Sequence, residues 1–252
     1  MQKPLATRIS IELVPRDATA LREELGAVQA HFRSVRLINL PDLPRFPLRS
    51  WDGCAIAREF FPDTIPHIRA IDLSLDQPLE LVATLRRLAI QEILVITGDV
   101  NPDHPPPTNA CTVLQAIRRF KEAMPELRVY AALDPYRQGL QQEYRYLQQK
   151  LEAGADGFFT QPFFDLHLMA MYAELLAGIP LFWGVAPVTT ESSRGYWEKH
   201  NRVLFPRHFV PTLAWNRQFA QQALAFARES RTHIYFMPIR TNVVDYLEGI
   251  LS

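Results

Sequence analysis

The first candidate for chemistry is Glu12, which sits in the short apolar run RISIELV at 8–14. In an extended chain successive side chains alternate between faces, so Ile9, Ile11 and Leu13 share one side and Ser10, Glu12 and Val14 the other. A carboxylate on a buried strand face is costly unless hydrogen-bonded or paired. A structural glutamate bonded to its neighbours explains it as well as a catalytic acid does. Asp99 ends the run ITGD, where Gly98 would let a ligand approach the backbone; an N-cap or Asx turn is the plainer reading. His67 opens HIRAID, which reaches Asp72, and a lone histidine among apolar residues is more often a satisfied core residue than a ligand. Thr160 and Gln161 lie between aromatic residues. The Gln161 amide suits the edge of a heteroaromatic ring and suits an internal hydrogen bond equally. Asp103 and His104 adjoin in NPDHPPPT, without the third ligand that a metal would want.

These residues fall in a regular alternation of elements. Runs of strand length rich in Ile, Val, Phe and Tyr occupy 8–14, 34–40, 67–73, 92–98, 127–133, 157–163, 180–186 and 232–238. Amphipathic stretches lie at 18–31, 78–89, 109–123, 138–153, 165–177 and 213–229. In 138–153, Leu140, Tyr144, Leu147 and Leu151 predict the buried stripe, and Gly154 predicts the stop. Eight units of about 31 residues match a single α/β domain over 1–252, a (β/α)8 TIM barrel. A doubly wound sheet is the main competitor, but it usually has fewer strands and a glycine-rich first turn, and the turn after the first strand is VPRDAT. Prolines (20) outnumber glycines (10), and Pro15, Pro41, Pro102, Pro135, Pro162 and Pro187 sit just past strand ends, where they stiffen loops without removing a ladder bond. The segments 101–108 and 189–210 read as longer loops of the catalytic face.

Composition removes several function classes. The 27 Lys+Arg balance 27 Asp+Glu, and no basic stripe is present, which argues against nucleic acid. The longest nearly apolar stretch, Ile179 to Val188, is about half of a membrane span, and the start MQKPLATR lacks an apolar signal core. Cys54 and Cys111 are far apart and form no metal or redox pattern, so a cytoplasmic protein is expected. No P-loop, GxSxG, HExxH or GxGxxG occurs.

Taken in order, ISIELVP, PHIRAID, ITGD, YLQQKLEAGADGFFTQPFFD, GIPLFWGVAPV and HIYFMPIR resemble the methylenetetrahydrofolate reductase family over nearly the whole chain. The most specific part is K-x-x-A-G-A-D-x-x-x-T-Q-x-F-F-D, from Lys150 to Asp165. The resemblance implies a TIM barrel that passes hydride from NADH or NADPH to FAD, and from the flavin to 5,10-methylenetetrahydrofolate. It implies that Glu12 is the general acid that opens the imidazolidine ring, a role for a carboxyl of raised pKa. It implies that Asp99 faces flavin and pterin and stabilises the iminium ion, and that Gln161 and Arg240 contact folate. It carries FAD contacts onto His67, Gly98, Asp99, Ala131 and Lys150.

Departures from the family pattern fall at three further cofactor positions. Thr97 stands where an arginine is usual, Asn39-Leu40-Pro41 where Thr-Tyr-Gly is usual, and Leu133 and Asp134-Pro135 where a tyrosine and His-Pro are usual. Thr97 cannot replace a bidentate arginine on a diphosphate. Thr189-Thr190-Glu191 replaces the family's aromatic residue after the seventh strand. A bare barrel without a regulatory domain, and a homo-oligomer, follow from the resemblance. Two alternatives stay open: direct transfer from NAD(P)H without flavin, and a folate-binding barrel without catalysis.

Overall fold

The computed structural model describes residues 6–100, 103 and 105–251. Of the proline-rich loop, Asn101, Pro102 and His104 lie outside the described residues. Eight parallel strands close into a barrel in sequence order: β1 Ile9–Glu12, β2 Leu37–Leu40, β3 Asp63–Arg69, β4 Glu92–Ile96, β5 Arg128–Leu133, β6 Gly157–Pro162, β7 Leu181–Val185 and β8 His233–Phe236. The ring closes through β1 on β8, with Ile9 opposite Ile234 and Ile11 opposite Phe236. This is the expected (β/α)8 barrel.

Helices α1 (Ala18–His31), α2 (Ser50–Ala57), α3 (Leu81–Arg87), α4 (Val113–Ala123), α5 (Leu140–Glu152), α6 (Leu166–Leu175), α7 (Glu191–His200), α8 (Leu213–Glu229) and α9 (Val243–Leu247) form the outer shell. Caps set their starts. Asp17 accepts from Ala20 N, Thr112 and Gln115 form a capping box, and Asp165 accepts from His167 N and Leu168 N.

Two apolar clusters follow the alternation of the strands. Ile9, Ile11, Ile93, Val95, Phe158 and Trp183 face the helices. Leu37, Ile65, Leu94, Tyr130, Phe159, Phe182 and Tyr235 fill the barrel. Phe159 stacks on Phe182 at 4.1 Å between centroids, with Tyr130 edge-on to both at 5.4 Å. Below this layer Arg8 bridges Glu92 and Asp63, and Arg128 joins Glu92 at 3.0 Å, closing the amino-terminal end. Polar groups that face the interior at the other end therefore meet solvent only through the loops at the strands' carboxyl ends.

Several expectations need correction. The third strand begins at Asp63, and Asp72 lies beyond it in a 3-10 turn, Ala70–Asp72. The fourth strand stops at Ile96 and Gly98 has φ +88°, so Thr97 and Asp99 belong to the loop. The segment 189–210 is not all loop: α7 begins on a Thr190/Ser193 capping box. On α5, Leu147 is buried and Tyr144 and Leu151 pack against the core as expected, but Leu140 is 40 % exposed and Glu143 and Lys150 are buried as well. Polar side chains took the inward positions there because each finds a partner under the loop after β5, which period alone cannot reveal.

Candidate active site

Glu12 ends β1 and points into the barrel mouth, as the alternation from Ser10 requires. The Asn39 side chain, on the adjacent strand β2, joins three groups. Its Nδ2 donates to Glu12 Oε2 at 2.9 Å and lies 3.1 Å from His67 Nε2, and its Oδ1 accepts from Ser10 Oγ at 2.7 Å. With both amide hydrogens given away, His67 Nε2 is the acceptor, so the ring is neutral and carries its proton on Nδ1; this tautomer is assigned from the network. Burial lowers the His67 pKa to about 3, in agreement.

Glu12 and His67 are 3.7 Å apart, but a neutral imidazole supplies no charge to hold the carboxylate ionised. Desolvation raises the Glu12 pKa to about 7, against the opposing hydrogen bond from Asn39. The side chain is 15 % exposed, through a cavity of about 290 Å³ bounded by Glu12, Arg16, Met237, Ile239, Arg240 and Asn242. Glu12 Oε1 has no hydrogen-bond partner among the described residues. A carboxyl group poised between its two states, with one oxygen open to a cavity, can give a proton to a bound ligand near neutral pH.

Of the residues singled out from sequence, the structure brings Glu12, Asn39 and His67 together. Arg240, exposed with φ +55°, lies across the cavity from Glu12. Gln161 is exposed near the end of β6, where the register against β7 shifts between Phe159 and Pro162, so the strand's alternation does not carry to it. Thr97 and Asp99 are exposed and Gly98 is half-buried at the end of β4. The Asp99 carboxylate makes no contact with Glu12 or Gln161; its backbone oxygen accepts from Arg69 at 2.7 Å.

The remaining flavin positions are turned elsewhere. The Ala131 methyl is fully buried against the helices. Lys150 is 1 % exposed, donates to the Ala132 carbonyl and lies 4.2 Å from the centre of the Tyr146 ring, and desolvation lowers its pKa to about 7. The loop 134–139 closes over it: Asp134 N and Arg137 donate to the buried Glu143, and burial raises the Asp134 pKa. A flavin dinucleotide brings a diphosphate, which needs unengaged cations. Thr97 offers none, and the nearby guanidinium groups of Arg69 and Arg137 are held by Asp72 and Glu143. The positions expected to hold FAD therefore offer its diphosphate no free cation.

Sequence reasoning passed over Arg69 and Arg45. The run Asp42, Arg49, Asp72, Arg69 ties the ends of β2 and β3 together by ion pairs of 2.5, 3.6 and 2.9 Å, and Arg69 reaches the loop after β4 through the Asp99 carbonyl. Its only signal was the surplus of charge in PDLPRFPLR and HIRAID. Among the described residues no group of three His, Cys, Asp or Glu could hold a metal, and no helix is long and apolar enough to cross a membrane.

Fold and site together define a (β/α)8 barrel protein whose polar groups converge at the carboxyl end of its strands. The chain belongs to the methylenetetrahydrofolate reductase family, whose profile matches residues 53–226. Glu12, Asn39 and Arg240 lie outside that span, so only their geometry speaks for them. No curated protein matches the sequence.

Among solved structures, an uncharacterized protein from Clostridium thermocellum, described as binding two copies of 5-methyl-5,6,7,8-tetrahydrofolic acid, is similar with TM-score 0.64 and 10% identity. The match covers 98% of this chain and 95% of that one. A 2,3-dimethylmalate lyase of the PEP mutase/isocitrate lyase superfamily (TM-score 0.60, 12% identity, 94% of this chain, 76% of that) and an oxaloacetate acetylhydrolase (0.57, 13%, 93%, 76%) are also similar. At these identities the likeness is one of fold.

Proposed function

We propose that this barrel reduces 5,10-methylenetetrahydrofolate to 5-methyltetrahydrofolate with NADH or NADPH as the hydride source. Family membership and a folate-binding structural neighbour support the substrate class. The observation that carries the reaction type is the Glu12 carboxyl, held at a pKa of about 7 beside an open cavity.

The chemistry asks for one proton and one hydride. Methylenetetrahydrofolate holds its one-carbon unit as an aminal between N5 and N10. The Glu12 carboxyl gives its proton to N10 as the C–N10 bond breaks, leaving a carboxylate and an N5 iminium ion. Hydride from C4 of the reduced nicotinamide then adds to the iminium carbon, giving the N5-methyl group and the oxidised nucleotide. Asn39 keeps the Glu12 carboxyl aimed into the cavity, and His67 stays neutral so that no cation captures the carboxylate. The exposed carboxylate of Asp99 and the amide of Gln161 are available to the cationic intermediate and the pterin edge. Because the expected flavin positions offer a diphosphate no free cation, no step is routed through FAD.

The test is oxidation of NADH and NADPH by methylenetetrahydrofolate, followed by absorbance with flavin-free protein, together with methyltetrahydrofolate formation. Turnover that is lost in Glu12→Gln supports the proposal. Folate binding without turnover in the parent protein would leave a binding barrel instead.

A further inference from the structure

Arg69 closes β3 with a guanidinium almost out of reach of solvent, its side chain 5 % exposed. A buried cation is costly unless it is paired and its donors are met, and an apolar side chain of similar volume would end the strand at lower cost. Here the donors are met from two directions. Nε gives to Asp72 Oδ2 at 2.9 Å, and Nη2 gives both to Asp72 Oδ1 at 3.2 Å and to the Asp99 carbonyl at 2.7 Å. Asp72 is held in turn by Arg49 at 3.6 Å, and Arg49 by the buried Asp42. The guanidinium is thus anchored to a run of charges that spans β2 and β3, and its further bond goes to the main chain of the loop after β4.

The stem of the same side chain supports that loop. A Cβ built at Gly98 would lie 3.0 Å from the Arg69 Cβ and 3.2 Å from its Cγ, so the turn rests directly on the arginine. One residue earlier, the Thr97 carbonyl accepts from Ile71 N at 3.1 Å. Thr97, Gly98 and Asp99 are each held from the β3 side through their backbone, while the Asp99 side chain is exposed and takes part in none of these contacts. Asp72 balances the Arg69 charge, so the arginine orients Asp99 without neutralising it. On the reductase reading, on which this rests, a cation forms at the barrel mouth. We propose that Arg69 is a positioning residue that, through the Asp99 carbonyl, fixes where the Asp99 carboxylate stands against that cationic intermediate.

Steady-state oxidation of reduced nicotinamide by methylenetetrahydrofolate, with kcat and KM separated, tests this on the full chain, on Arg69→Met, on Asp99→Asn and on the double variant. Methionine keeps a stem beneath Gly98 and removes the donors. In Arg69→Met kcat is expected to fall about 10- to 100-fold, with the folate KM within about threefold and the alkaline limb of kcat/KM left where Glu12 sets it. In the Asp99→Asn background the same substitution lowers kcat by less than about twofold, because the charge that Arg69 positions is already gone. Arg69→Lys, which keeps one donor for the Asp99 carbonyl, recovers part of the loss. If Arg69→Met does not fold, Asp72→Asn loosens the same guanidinium and is read in the same two backgrounds, with the same expectation. An unchanged kcat, or an equal loss with and without the Asp99 charge, overturns the inference and leaves Arg69 a structural group. Full activity in Asp99→Asn overturns it too, while the reductase reading on Glu12 stands. If the parent protein oxidises neither NADH nor NADPH, the reductase reading itself fails and this inference falls with it.

Discussion

The Asn39 amide donates to Glu12 Oε2 at 2.9 Å while its second hydrogen faces His67 Nε2 at 3.1 Å, so one side chain on β2 joins the carboxyl and the imidazole of the site. Its bond to Glu12 opposes the rise in pKa that burial causes. Replacing Asn39 by Leu therefore raises the Glu12 pKa further, and the alkaline limb of the kcat/KM profile moves up by about one pH unit. Because Ser10 and His67 also lose a partner, the variant is less stable by about 1–3 kcal/mol in denaturant unfolding. A limb that moves down, or stays, would show that Asn39 does not set the acidity of Glu12.

With Glu12 as the acid, activity requires its protonated form. The kcat/KM of the parent protein is then expected to be flat below about pH 7 and to fall tenfold per pH unit above it. Glu12→Gln, which keeps the shape but has no proton to give, lowers kcat by about 10²- to 10⁴-fold. A Gln variant within threefold of the parent would remove Glu12 from the chemistry.

The same shift makes a prediction about stability. The folded-state pKa of Glu12 is above its unfolded value of 4.5, so the folded protein holds more protons between pH 4.5 and 7 and loses stability as pH rises through that window. Glu12→Gln is thus more stable than the parent at pH 8, by up to about 3 kcal/mol, and equal to it at pH 4.5. His67 acts in the opposite sense. Its folded pKa is depressed from 6.5 to about 3, so its contribution is lost as pH falls from 6.5 toward 3; the Gln variant keeps this acid limb, to which His233, lowered by burial to about 4, adds in the same sense. Urea unfolding at a series of pH values measures both.

The Lys150 amine is buried beneath Tyr146 and the loop 134–139, with a folded pKa of about 7 against an ordinary 10.5. The folded protein then holds fewer protons between pH 7 and 10.5, and stability rises with pH across that range. Lys150→Met abolishes that slope. A slope unchanged in the variant would mean that the amine is charged and solvated in the folded state.

Freshly purified protein is expected to lack visible flavin absorbance and to take up no FAD on reconstitution, yet to oxidise reduced nicotinamide with methylenetetrahydrofolate. Flavin bands that bleach with NADH and return with methylenetetrahydrofolate would restore the flavin-dependent route and place FAD on contacts other than Lys150 and Ala131.

What the sequence determined by itself was the repeating unit and the parity of the first strand. Local physics suffices for both. Hydrophobic period locates α1 and α8 to the residue, and alternation alone puts Ser10 and Glu12 on one face of the first strand. Helix α2 escaped because apolar residues are spread around it, and α7 because it is mostly polar; a short helix of either kind draws its stability from tertiary contacts.

Tertiary structure alone decided the rest. Asn39, read as one altered cofactor position, became the hub of the acid site because strand pairing sets it opposite Glu12. Lys150 and Ala131 turned from the mouth to the helical layer, since a buried amine takes whatever carbonyl and aromatic face the packing offers. Arg45 and Arg240, 195 residues apart in the chain, meet one groove only because the barrel brings the loops after β2 and β8 to the same end. Whether a polar side chain is an isolated cost or a working group depends on partners remote in sequence, and closure of the sheet is what supplies them.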